Sequence, residues 1–345
     1  MLPRERVQAA INFETPDKIP LRIFPAAGGL HEHGQKLADL CQELGHDFGD
    51  LSGLALPAPP PETDFDSDGR YHTFQTDAWG TKWEYRIFGI WGHPMEWPLD
   101  DLTRLDSFQA PAPPPASGPS VDAARESIAA AKQTWYTLGG AGQLFEQLRA
   151  LRRYEDVLMD IGLDTPEINR IADMVLEHCK GCMAHSMAID VDGVAFGDDH
   201  GTQEAMIVSP AAFRRFFKTR YMDLFEPARK ADKPVFFHVC GQVSPILADL
   251  KEIGADVIWP QLNAFDLPEL VRVCRDLRLC VELHPDRGDL MQRAAPQDVR
   301  DYVLRLVDAF DTAHGGSWLY LEVDPGFPWE NVKALFEVAR ELREG

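Results

Sequence analysis

His238 and Cys240 stand two residues apart at the end of the apolar run 234–240 (PVFFHVC). Residues i and i+2 of a strand project to the same face, so one imidazole and one thiolate can reach a single ion from one element. Nitrogen with a soft sulfur suits zinc, at about 2.0–2.1 Å and 2.3 Å. Taken alone, the pair also reads as a hydrogen-bonded histidine beside a cysteine that packs as a small hydrophobe. Two further pairs with the same spacing end other apolar runs: Glu282 with His284, and Glu322 with Asp324. They can supply a third ligand or orient the first two; ion pairs around a loop are the alternative. Asp198, Asp199 and His200 follow the run GVAFG and offer an acid and a base. A cap on the next helix is the structural reading of the aspartates. Gln203, Gln261 and Asn263, together with Glu282 and Asp324, are the expected substrate contacts. Such polar groups are costly at the ends of apolar strands unless they are paired, hydrogen-bonded or bound to metal.

A rival cluster, His178, Cys179, Cys182 and His185, forms HCxxCxxH within 166–188. It has no second CxxC, and Val175, Leu176 and Met183 around it point to core packing rather than metal.

The elements that must position these residues alternate. From 134 onward, short and nearly continuous apolar runs (134–138, 193–197, 234–240, 256–260, 279–283, 318–323) are separated by helical segments (143–160, 166–188, 210–231, 244–253, 267–277, 296–313). This rhythm predicts a buried parallel sheet with right-handed crossovers. With 19–25 and one more early strand the number approaches eight, so an α/β (β/α)8 barrel is expected, with a doubly wound open sheet as the alternative. Both architectures put functional groups at the C-terminal ends of strands, where all the candidates fall. Two proline-rich stretches bound an insertion at 57–119, and the alternation within 71–97 predicts a Trp-rich β-hairpin that lines or covers the barrel mouth. The insertion reads as part of one domain spanning 1–345. The glycine-rich 139–142 lacks a dinucleotide fingerprint and reads as a tight turn.

Composition narrows the function. The 345 residues hold 34 Lys and Arg against 55 Asp and Glu, a formal net charge of −21. So acidic a chain, with no basic stripe, excludes a nucleic-acid-coating role. No apolar run reaches the roughly 20 residues that span a bilayer, and the first residues show no signal-peptide core. Six cysteines are too sparse for a disulfide scaffold, so a reducing, cytoplasmic setting is expected.

These motifs in this order resemble the uroporphyrinogen decarboxylase superfamily, which includes zinc- and corrinoid-dependent methyltransferases. The likeness runs through Arg4-Glu5-Arg6-Val7, Pro16-Asp17-Lys18-Ile19-Pro20, Gly197-Asp198-Asp199-His200-Gly201-Thr202-Gln203, Ser209-Pro210, His238-Val239-Cys240-Gly241 and Glu330-Asn331-Val332. It implies a (β/α)8 barrel. Decarboxylases of the superfamily carry an arginine-rich segment after the first strand, whereas Phe24-Pro25-Ala26-Ala27-Gly28-Gly29 has no arginine. The methyltransferase branch binds zinc through His-x-Cys and a distant second Cys. His238 and Cys240 match the first part; Leu321 stands near the second, so Glu322 or His284 is the expected third ligand. Glu322 has the opposite strand parity to Leu321 and would need a bulge or strand end to reach the ion. The resemblance implies methyl transfer between a corrinoid, carried by a partner protein in some members, and a small thiol or pterin. The alternatives are a lyase using Asp198 or His200 as its acid and a non-catalytic ligand-binding protein.

Overall fold

The computed structural model describes residues 1–344. Its strands are β1 (Leu21–Phe24), β2 (Thr73–Thr76), β3 (Lys82–Tyr85), β4 (His93–Glu96), β5 (Leu138–Gly140), β6 (Gly193–Gly197), β7 (Val235–Val239), β8 (Ala255–Pro260), β9 (Cys280–Leu283) and β10 (Ser317–Glu322). Seven of them form one curled parallel sheet in the order β1-β10-β9-β8-β7-β6-β5, with helices in the crossovers.

Strand parity explains the continuous apolar runs. Val194, Phe196, Val235, Phe237, Ile258, Val281 and Leu283 are buried in the main core cluster with the helices. Their neighbours in sequence, Phe236, Val257 and Cys280, join Trp318 of β10 and Tyr136 in a separate inner cluster, which Val7 and Ala10 of the helix Pro3–Ile11 plug from below. Both faces are therefore apolar at the N-terminal end of the sheet. One turn of alternation further, the inner face becomes Trp259, His238, Glu282 and Tyr320.

The sheet does not close into the expected eight-stranded barrel. No pairing joins β1 to β5, and the residues around Asp47 fill the gap instead. The Asp47 N–H donates to the Leu21 carbonyl (2.9 Å), and the Tyr136 N–H donates to the Asp47 carbonyl (2.9 Å). Side chains take the other bonds that a strand's backbone would have made. The Asp47 carboxylate accepts from the Leu21 N–H (2.7 Å) and His46 Nδ1 from the Ile23 N–H (3.0 Å). The buried Asp47 also binds Arg6 from the N-terminal helix and Arg343 (2.8 Å) from the C-terminal helix Trp329–Glu344. The open edge of β1 is thus capped rather than paired, leaving few free backbone donors.

The insertion differs from the expected hairpin: β2, β3 and β4 make a three-stranded antiparallel sheet. Trp83 Nε1 donates to Asp77 (2.8 Å), and Trp97 Nε1 to the Arg149 carbonyl (3.1 Å). The Phe88–Gly89 turn lies so close to Gly28 that a Cβ there would sit 2.7 Å from the Phe88 carbonyl oxygen. The proline-rich stretch beyond it explains HCxxCxxH. His178 and His185, two turns apart on the helix Pro166–Ala188, donate through Nδ1 to the carbonyls of Pro111 (3.0 Å) and Pro115 (2.6 Å), and Gly181 leaves room for Pro113. Cys179 is buried beneath them. The histidines anchor an extended segment whose prolines offer carbonyls and no N–H.

Candidate metal centre

The inner-face parity that puts Phe236 in the lower plug carries His238 and Cys240 to the C-terminal mouth. Asp199, just past β6, meets them there. The carboxylate, imidazole and thiol offer ligand atoms all within 4.8 Å of one another, and this is the one such His/Cys/Asp/Glu group among the described residues. His238 Nε2 lies 3.4 Å from Asp199 Oδ1 and 3.4 Å from Cys240 Sγ. Tetrahedral zinc bonds of the usual lengths would set its ligand atoms roughly 3.4–3.6 Å apart, which these two separations from His238 match. The expected third ligand was Glu322 or His284; the geometry brings Asp199 instead.

His238 is oriented from behind. Its Nδ1–H donates to the Trp259 carbonyl (3.1 Å), and its ring lies against the Trp259 indole with centroids 4.1 Å apart. That bond keeps a proton on Nδ1 and leaves Nε2 facing Asp199 and Cys240, a donor while protonated and a free ligand atom once that proton is lost. Burial works against charging the ring, but the hydrogen bonds and negative charge of Asp199 and Cys240 outweigh it and push His238 up to about 10. Burial likewise opposes the Asp199 charge, yet His238 holds that carboxyl down to about 2. A proton on Nε2 thus occupies the place a dication would take, and metal binding would release it.

The other predicted residues divide. Gln203, His238, Cys240, Gln261, Asn263 and His284 line one cleft of about 470 Å³. Gln203 and Gln261 form a reciprocal amide pair, 3.0 Å in each direction, and Asn263 donates to Asp286 (2.8 Å). His284 is buried between the Pro260 and Pro285 carbonyls (2.9 and 3.0 Å), and burial lowers it to about 4. The neutral ring has one N–H and donates it to one of the two carbonyls, and His284 is not among the converging ligands.

Asp198 and His200 do not reach the cleft. Asp198 is fully buried and accepts from the N–H groups of Leu144, Phe145 and Glu146 (3.0, 2.9 and 2.9 Å) and from the Tyr221 hydroxyl (2.7 Å). It therefore caps the helix Phe145–Leu151 of the preceding crossover, not the following helix. Burial pushes its carboxyl up to about 6 against these donors. His200 stacks on Phe145 (5.2 Å, 1°), donates through Nε2 to Tyr221 (2.8 Å), and is lowered to about 3 by burial. These groups support the core beneath the loop.

The remaining acids are neutralised by arginines that sequence reasoning overlooked. Glu282, deep in the sheet's interior, holds Arg22 (2.9 Å) and accepts from Trp318 Nε1 (3.0 Å). Arg287 spans Glu322 (2.7 Å) and Asp324 (3.5 Å), and the Tyr320 hydroxyl also donates to Glu322 (3.0 Å). Glu322 needs no bulge to face inward, because it shares parity with Trp318 and Tyr320. Leu321 points outward into the helix-side core with Ile23 and Leu335. Trp259 and Arg287 line the cleft without having been singled out; the signal for Trp259 was its place two residues before Gln261. No residue of 71–97 is among the cleft's lining, so the Trp-rich segment does not form its wall.

A curled parallel α/β sheet with its polar groups gathered at the C-terminal strand ends defines the class of protein. The family model for uroporphyrinogen decarboxylase (URO-D) matches residues 94–342, and the chain belongs to that family. Among solved structures, a methyltransferase from Methanosarcina mazei is 17% identical, with a TM-score of 0.62 over 99% of each chain. A zinc-bound IolI protein is 11% identical over 94% of this chain and 96% of its own, with a TM-score of 0.40. A Xanthomonas albilineans dihydropteroate synthase is 15% identical over 57% of this chain and 64% of its own, with a TM-score of 0.36. No curated protein matches the chain. No described helix is long and apolar enough to cross a membrane.

Proposed function

We propose that the protein is a metal-assisted methyltransferase that moves a methyl group between a corrinoid, free or on a partner protein, and a small thiol or pterin acceptor. The reading rests on the convergence of Asp199, His238 and Cys240 on one point at the mouth of the sheet. Family membership and the fold shared with the Methanosarcina mazei methyltransferase support it. A zinc ion held by these three residues would supply Lewis acidity that lowers the pKa of an acceptor thiol. Asp199 would stand in for the second thiolate that the resemblance implies, so one neutral and two anionic donors are kept. Trp259 fixes the His238 ring, and Gln203, Gln261 and Asn263 offer amide donors and acceptors to the substrate. Arg287 holds Glu322 and Asp324, which keeps two carboxylates from competing for the ion.

Metal analysis of the protein purified under reducing conditions tests the first step. About one zinc per chain is expected, lost in His238→Ala and Cys240→Ala; a metal-free parent overturns the proposal. Methyl transfer from methylcobalamin to a small thiol, followed by the cobalamin spectrum, tests the second. A decarboxylating lyase is disfavoured because both arginines of the interior, Arg22 and Arg287, are already paired with carboxylates. Turnover of a porphyrinogen would reverse that judgement.

A further inference from the structure

A cleft of about 860 Å³ lies on the opposite face, where the chain enters β5 to β9. Six cations line it: Arg4 from the N-terminal helix, Lys132 ahead of β5, Arg229 and Lys233 ahead of β7, Lys251 at the turn into β8 and Arg278 ahead of β9. Only three carboxylates share the lining, Asp192, Asp232 and Asp256. This wall has an excess of cations in a chain whose net charge is −21.

Part of the positive charge is satisfied within the protein. Arg4 binds Asp192 (2.8 Å), Lys132 and Lys233 share Asp190 (2.9 and 2.7 Å), and Lys251 binds Asp256 (3.0 Å). Arg229 and Arg278 have no carboxylate partner among the described residues. Arg278 donates only to the Asn12 carbonyl (2.6 Å) and lies over the Phe13 ring. Arg229 packs its stem on Gly254, where a Cβ would come within 2.5 Å of its Cδ. Both arginines stand at helix C-termini, Arg229 in the last turn of Thr219–Lys230 and Arg278 just past Leu267–Leu277, where a cation complements the helix dipole; the dipole accounts for their places but leaves both guanidiniums without a carboxylate. A second, independent feature is Tyr136, which lines the cleft from the interior side, is 1% exposed, and has a hydroxyl with no hydrogen-bond partner. Leaving such a group unpaired costs about 1–3 kcal/mol.

We propose that this cleft binds a small polyanion bearing a diphosphate group, at a site separate from the candidate metal centre. The guanidinium forks of Arg229 and Arg278 match phosphate oxygens bidentately. Lys132, Lys233 and Lys251 add charge around the rim, and the Tyr136 hydroxyl donates to an oxygen at the inner end. A chain this acidic repels polyanions at long range, so saturable binding would report a local site.

Titration calorimetry of the full chain with inorganic pyrophosphate and with ADP, at about 0.1 M salt where surface attraction is already screened, tests the proposal. One site is expected, weakened at least tenfold by Arg229→Gln or Arg278→Gln and severalfold by Tyr136→Phe, and changed less than twofold by His238→Ala. Preference for ADP would show that the cleft reads a nucleoside as well; equal affinity would assign it to the diphosphate alone. Absence of saturable binding at millimolar concentrations of both probes overturns the proposal, as does equal affinity in the parent and folded arginine variants. Loss of binding in His238→Ala alone would place the anion at the other face and overturn it equally.

Discussion

Two clusters of acids at the C-terminal mouth have similar sequence signatures and opposite states. On the β6–β7 side, Asp199 faces an imidazole and a thiol that can release or exchange a proton. On the β9–β10–β1 side, Glu282, Glu322 and Asp324 face Arg22 and Arg287, which stay charged and donate in fixed geometry. The first cluster can give up its internal partner to a metal. The second is closed by its own cations, and its acids help to hold the sheet together. What separates an open site from a structural one is therefore the chemistry of the neighbour, not the carboxylate.

The largest expected effect contrasts the two sides directly. His238→Ala or Cys240→Ala should weaken zinc binding by at least about 100-fold in chelator competition, beyond the loss typical of outer partners, while Glu322→Gln changes it less than about twofold. Equal losses would erase the distinction. Stability should show the reverse order. Glu282→Ala strands Arg22 and the Trp318 indole N–H, and denaturant unfolding should register a loss of about 3–5 kcal/mol; Asp199→Ala, at the partly open mouth, should stay near 1 kcal/mol.

The closed side also carries a pH signature. His46 Nδ1 accepts from the Ile23 N–H, and burial lowers the ring to about 4. The unfolded ring, with a pKa near 6.5, takes up its proton first, so stability should fall as pH drops from about 6.5 to 4. His46→Asn, which keeps an acceptor without a titrating ring, should reduce that slope in thermal melts, leaving the shares of His200 and His284. The smallest effect concerns the proline anchor far from both clusters: His178→Ala should cost about 1 kcal/mol and leave metal content unchanged.

Much of the architecture was legible because burial on two faces writes itself as continuous apolar runs. The run at 193–197 is β6 residue for residue, and parity alone placed His238 with Cys240. The missing eighth strand was not legible, since Asp47 and His46 cap β1 through side chains and leave no alternating pattern. Nor was the failure of Asp198 to reach the cleft: two adjacent aspartates after a strand look alike until opposite parity sends one under the loop and the other to the mouth. The sequence by itself determined which residue types stand at the strand ends, since period-two alternation is a local property. Only the tertiary structure decided that Asp199 joins His238 and Cys240, and that Arg22 and Arg287 remove the other acids. Those partnerships join residues 35 to 260 positions apart, and their distances depend on how neighbouring strands align.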